Sequence, residues 1–247
     1  MLRRSLSLLT LAVASLAVHA GETTVAVAGN FAEPMKTIVA DFSRATGHTV
    51  RVSTGATGKF YAQIVNGAPF DVLLAADDIT PARLVAEKHG VPGSAFTYAI
   101  GRLVLWSADA GKVDANASAL RSGNFRFLSI ANPRIAPYGR AALETLASMK
   151  VDVPQNKRVM GESITQAWQF VASGNADLGF VALAQVWRDG KLASGSAWIV
   201  PENLHRPIRQ DAVLLVRGQN NPAARAFLDW LRSPAAKRII ESYGYSL

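Results

Sequence analysis

Four short stretches of the 247-residue chain bring glycine and hydroxyl-bearing residues to points where an apolar strand pattern gives way to a helical one. They are Gly29-Asn30, Ser53 to Gly58, Ala136 to Gly139 and Glu162 to Thr165. The second lies in VSTGATGKFYAQ, Val52 to Gln63, and has the look of a phosphate-cradling loop followed by a lysine. A nucleotide-binding P-loop needs four residues between its glycines and Ser or Thr after the lysine, so that amides surround the phosphates and a hydroxyl meets magnesium. Here two residues separate Gly55 from Gly58, and Phe60 follows Lys59. The nucleotide reading fails on both counts.

More general chemistry survives. The first amides of a helix have no intrahelical partner and carry the positive end of the dipole outward, which suits an anion. Thr57 and Gly58 offer a hydroxyl and bare amides together at one helix start, although an ordinary Thr N-cap explains the same pattern. Asn30 stands at another start behind Gly29. Ser163-Ile164-Thr165 opens a third helix and Pro137-Tyr138-Gly139 a fourth, with a phenol that donates and a proline that suits the first helical position. Converging, these starts would hold one small anion without any full positive charge.

The elements that must position them alternate. Thr23 to Ala28 reads as a strand, and Phe31, Met35, Ile38, Val39 and Phe42 keep a helical period up to Gly47. His48 to Ser53 is a second strand, Lys59 to Asn66 a helix and Asp71 to Ala75 a third strand; Asp77-Asp78 reads as a strand exit and helix cap. A second series follows: Tyr98 to Ser107, Arg126 to Ile130, a helix through Ala142 and Leu146, a helix from Ser163, and Asp177 to Leu183. Asp211 to Val216 and one terminal helix, Pro222 through Trp230 into Ile240, complete the chain. Strands alternating with helices predict mainly parallel sheets flanked by helices, with ligands at the carboxyl ends of strands. No flexible linker separates the two series, which predicts two lobes with strands crossing between them.

Composition narrows the class. MLRRSLSLLTLAVASLAVHA has two arginines, an apolar run and a small-x-small ending, the pattern of a secretory signal peptide cleaved near Ala20. The remaining 227 residues contain no cysteine, which excludes disulfides, thiolate metal sites and lipid attachment through cysteine. Without Arg3 and Arg4, 24 basic residues face 18 acidic ones, a net +6. These charges are scattered, with no basic tract or interleaved aromatics, so a nucleic-acid partner is not expected. His48, His89 and His205 sit in unrelated contexts, and no G-x-S-x-G or H-E-x-x-H occurs. An enzyme is therefore not expected, nor a metal held directly by side chains. Lys59 is expected to point away from the site, while Arg134 and Arg140 flank Tyr138.

The ordered segments TVAVAGNF, VSTGATGKFYAQIVNGAPFDVLLAAD, FTYAIGRLVLWS, ANPRIAPYG and ADLGFVALAQV resemble the periplasmic molybdate-binding proteins of ABC-type molybdate importers. The resemblance spans nearly all of the chain after residue 20. It implies an α/β, two-lobed type II periplasmic binding fold, a periplasmic monomer without cofactor, and molybdate or tungstate as cargo delivered to a membrane permease. The implied lobes are 21–101 with 207–247, and 102–206. Carried over by position, the ligand residues are Gly29 and Asn30, Thr57, Tyr138, and Ile164 through its amide. Many members have serine where this chain has Asn30 and Thr57. Another branch donates a tyrosine from the region that here reads Phe180-Val181-Ala182, so Tyr138 must replace it. A donor-only set suits a fully deprotonated tetrahedral dianion, because a protonated phosphate needs an acceptor. Sulfate and an organic carboxylate remain the alternatives.

Overall fold

The computed structural model describes residues 20–247. The expected signal peptide falls almost wholly on residues 1–19, outside the described residues.

The chain begins with β1 (Glu22–Ala28), which passes through one tight turn into α1 (Ala32–Thr46). Then come β2 (Thr49–Gly55), α2 (Thr57–Val65), β3 (Val72–Leu74), α3 (Ile79–Ala86) and β4 (Phe96–Gly101). The second series is β5 (Leu103–Ser107), α4 (Ser118–Ser122), β6 (Leu128–Ala131), α5 (Pro137–Ser148), β7 (Arg158–Gly161), α6 (Ile164–Ala172), β8 (Leu178–Ala182) and α7 (Leu183–Val186). A small hairpin, β9 (Trp187–Arg188) with β10 (Lys191–Leu192), precedes β11 (Ser196–Ile199). The chain closes with β12 (Ile208–Leu214), α8 (Pro222–Leu231) and α9 (Pro234–Ser242).

Two five-stranded sheets follow one plan. The first has the order β2-β1-β3-β12-β4 and the second β7-β6-β8-β5-β11. In each, the first three strands are parallel and the fourth runs against its neighbours. That reversed strand is always the one entered just after the chain has crossed from the other sheet. β4 leads to β5 through Arg102 alone, and β11 leads back to β12 through residues 200–207. The expected α/β class with two mainly parallel, helix-flanked sheets is what the chain forms.

Strands covered on both faces read as unbroken apolar runs, and β3, β5 and β8 are buried along their whole length. Helices instead bury one stripe: Met35, Ile38 and Phe42 of α1 are at most 1 % exposed. Phe42 meets Phe227 of α8 edge-on at 5.5 Å, so the terminal helices seal one face of the first sheet. Burial of each such side chain contributes about 1.5–3 kcal/mol.

Some boundaries differ from expectation. Tyr98 to Ser107 forms two strands, because the chain changes sheets at Gly101-Arg102. The terminal helix breaks at Ser233-Pro234: the Ser233 hydroxyl accepts from the Ala236 amide and the proline begins a new helix. The helix expected from Lys59 starts two residues earlier, at Thr57. The short edge strands β7 and β11 were not legible, being half-exposed and without a strong period.

Candidate functional site

Parallel strands deliver their carboxyl ends to one side of a sheet, and in this molecule those two sides face each other. Between them lies a cavity of about 210 Å³. Gly29 and Asn30 reach it from the end of β1, Thr57 from the start of α2, Tyr138 from the first turn of α5, and Ile164 from the start of α6. All five residues singled out in the sequence thus line one space, with Ala28, Ala56, Ala76, Ala136 and Pro137 supplying apolar walls. Among the described residues, the lining holds no charged side chain.

Each polar group has a local reason to face inward as a donor. The Thr57 side chain does not cap its own helix; its Oγ1 accepts from the Ala76 amide at 3.0 Å. That bond occupies an acceptor site of the hydroxyl and leaves its proton available. Ser163 caps α6, accepting from the Gln166 amide at 3.2 Å, so Ile164 occupies the first helical position, whose amide has no intrahelical partner. Tyr138 is 1 % exposed and its hydroxyl has no hydrogen-bond partner among the described residues. Burial, reinforced by the neighbouring phenols of Tyr245 and Tyr98, pushes the Tyr138 pKa well above its ordinary value. It therefore remains a donor at any physiological pH. Asn30, 2 % exposed, is held from behind by Gln210 and Tyr245.

Glycine is required where the halves touch. The Gly58 amide donates to the Ile135 carbonyl across the interface at 2.9 Å, and a Cβ on Gly58 would lie 2.9 Å from the Ile135 Cα. A Cβ on Gly29 would meet the Thr165 hydroxyl at 2.5 Å. Both are close-approach positions that no other residue fits without movement.

Charge lies outside the cavity and is paired. Arg140 and Asp77 form an ion pair at 2.7 Å, which answers the question raised by an arginine beside Tyr138. Asp77 also accepts from the Thr80 amide, making it the cap of the helix at Thr80-Pro81. Lys59, expected to point away from the site, instead bridges the halves to Glu162 at 3.0 Å. The hydrogen bond and charge of Lys59 hold the Glu162 carboxyl below its usual range. Both partners are about half exposed, so screening makes the pair weak. Lys59→Met is accordingly expected to change ligand affinity by less than about threefold in a calorimetric titration.

Chemistry beyond binding finds little here. No cluster of three or more His, Cys, Asp or Glu able to hold a metal occurs among the described residues. His48 is structural: its Nδ1 accepts from the Gly21 amide at 2.9 Å and its ring stacks on Phe42. The residues missed in the sequence are Gln210 and Tyr245, which stand behind the lining. A glutamine inside the apolar run of β12 was the only available signal.

Comparisons with known proteins agree with this geometry. A profile of the family described as bacterial extracellular solute-binding protein matches residues 23–246. The molybdate-binding protein ModA of Azotobacter vinelandii is 56 % identical over 232 residues, covering 94 % of this chain and 92 % of that protein. ModA of Rhodobacter capsulatus is 50 % identical, covering 94 % and 90 %. The solved periplasmic molybdate-binding protein of Azotobacter vinelandii superposes with a TM-score of 0.88 at 41 % identity, over 91 % of this chain and 99 % of that one. Those relatives are solute-binding proteins, and no helix among the described residues is long and apolar enough to cross a membrane. The chain belongs to the bacterial extracellular solute-binding proteins, in the family of the ModA molybdate-binding proteins.

Proposed function

We propose that this protein is an exported receptor that binds molybdate, or tungstate, between its two halves and delivers it to the permease of an ABC importer. The observation that carries the reading is the cavity's lining: neutral hydroxyl and amide donors from Asn30, Thr57, Tyr138 and Ile164, with no charged side chain among the described residues. Four oxygens that only accept are matched by groups that donate, and helix starts add dipole without adding a proton acceptor. Closure of the halves removes water and strengthens each of these contacts.

The relatives named above, described as molybdate-binding and in one case periplasmic, support the same cargo, partner and compartment. In this reading, 21–101 with 207–247 form one lobe and 102–206 the other, rocking about Arg102 and residues 200–207. The protein works as a monomer, without cofactor and without catalysis. Tungstate, of nearly the same size and charge as molybdate, belongs to the same reading.

Thermal melting tests it. A ligand at a hundred times its Kd stabilises by about 2.7 kcal/mol, a shift of roughly 5–10 °C in a chain of this size. Molybdate and tungstate are expected to give that shift and phosphate none. Stabilisation by sulfate but not by molybdate would transfer the assignment to a sulfate receptor.

A further inference from the structure

Behind the cavity, three side chains from distant parts of the chain form a buried cluster. Asn30 follows β1, Gln210 sits within β12, and Tyr245 lies in the C-terminal segment; they are 2 %, 0 % and 6 % exposed. A β-bulge in the β12–β4 pairing falls between Gln210 and Asp211, a device that re-aims side chains. The tail is pinned beside them, because Ile100 and Ser246 exchange backbone hydrogen bonds at 2.7 and 3.1 Å.

The hydrogen bonds inside this cluster are asymmetric. Asn30 Nδ2 donates to Gln210 Oε1 and, at 3.1 Å, to the Tyr245 hydroxyl, which in turn donates to the Asn30 main-chain carbonyl at 2.8 Å. Two atoms are left without partners: Asn30 Oδ1 and Gln210 Nε2. One is an acceptor, the other a donor, and they belong to the same bonded pair. Asn30 lines the cavity, whereas Gln210 and Tyr245 do not, so Oδ1 is the end of the amide not turned to them. An oxygen on that side opposes an anion that can only accept.

Turning both primary amides over together removes the conflict. Gln210 Nε2 then donates to Asn30 Oδ1, the pair stays bonded, and Asn30 Nδ2 is presented to the cavity. The exchange gives up one neutral hydrogen bond, from Nδ2 to the phenol. It gains a charge-assisted bond to the dianion, roughly twice as strong. The phenol proton keeps an acceptor in both arrangements.

We infer that Gln210 and Tyr245 are positioning residues that set which end of the Asn30 amide faces the ligand: Gln210 supports the donor-inward state by donating to Oδ1, and Tyr245 supports the opposite state by accepting from Nδ2. This rests on the molybdate reading above and deepens it. The site then selects a fully deprotonated oxyanion through a residue pair it does not touch.

Two substitutions are expected to act in opposite directions on molybdate affinity, measured by calorimetry. Gln210→Leu removes the donor to Oδ1 and lowers affinity about tenfold, while Tyr245→Phe frees Nδ2 and raises it about threefold, although Tyr245→Phe also lowers the melting temperature of the unliganded protein. A merely structural role weakens binding in both, in step with lost stability. An unchanged affinity in Gln210→Leu, or an unchanged or weakened one in Tyr245→Phe, overturns the inference. In the parent protein, saturating molybdate should abolish the nuclear Overhauser contact between the Asn30 side-chain amide protons and the Tyr245 ring. Its persistence overturns the inference even where a variant fails to fold. Failure of the parent protein to bind molybdate at all is a different result, and removes the functional reading instead.

Discussion

Gly58→Ala is expected to weaken molybdate binding by about 5–150-fold while leaving the melting temperature of the unliganded protein within about a degree. The added methyl would stand 2.9 Å from the Ile135 Cα, 3.0 Å from its Cβ and 3.1 Å from its Cγ2. Two of those neighbours are side-chain atoms that can shift, but the Cα belongs to backbone held by the Gly58–Ile135 hydrogen bond itself. Overpacking of this kind costs about 1–3 kcal/mol, which corresponds to that range of Kd. The position decides where the cost falls. Gly58 is in the first turn of α2, where alanine is an acceptable helical residue, so the open molecule does not feel the methyl. Only the form with the halves together does, and that is the form that holds ligand. Combining Gly58→Ala with Ile135→Ala should recover part of the affinity, because the two side-chain contacts disappear and the backbone contact remains. A Kd within twofold of the parent protein would mean that this contact plays no part in closure.

The sequence disclosed the site more fully than it disclosed the fold's edges, and the reasons are physical. Helix starts announce themselves locally: Gly29-Asn30, Thr57-Gly58, Pro137-Tyr138 and Ser163-Ile164 each carry their signature within a few residues, and all four reach the same cavity. Buried central strands are equally plain, since β3 and β8 are apolar throughout. What stayed hidden depends on partners far away in the chain. Nothing local tells that Lys59 meets Glu162, or that Asp77 neutralises Arg140, because each pair crosses from one sheet's loops to the other's. The change of sheet at Arg102 was invisible for a related reason: both sides of it are good strand sequence, and only the second sheet's need for a reversed strand divides them. Gln210 and Tyr245 lie 180 and 215 residues from Asn30, beyond the reach of any periodicity.

Tyr138→Phe should weaken molybdate binding by about 10–150-fold, the worth of one hydrogen bond to a charged group, about 1.5–3 kcal/mol. Ring and hydroxyl make separate contributions here. The ring packs in the core beneath the second sheet together with Ala28 and Ala76 from the first, and phenylalanine preserves that packing. The hydroxyl, by contrast, has no partner among the described residues. Its removal is therefore expected to leave the unliganded protein as stable as before or slightly more so, since a buried polar group without a bond costs free energy. Affinity falls while stability does not, a combination that a packing defect cannot produce. The pH dependence follows from the same burial. A phenol whose pKa is raised keeps its proton below that value and loses it only above, so its donation is constant across about pH 6 to 9, where an ordinary phenol already begins to ionise at the upper end. A parent protein whose affinity dropped above about pH 8 in step with a titrating phenol, or a Tyr138→Phe variant binding within twofold of it, would show that the dianion is held without this hydroxyl. The work would then fall on Asn30, Thr57 and the Ile164 amide alone, three donors for four oxygens, and selection against an anion carrying its own proton would weaken accordingly.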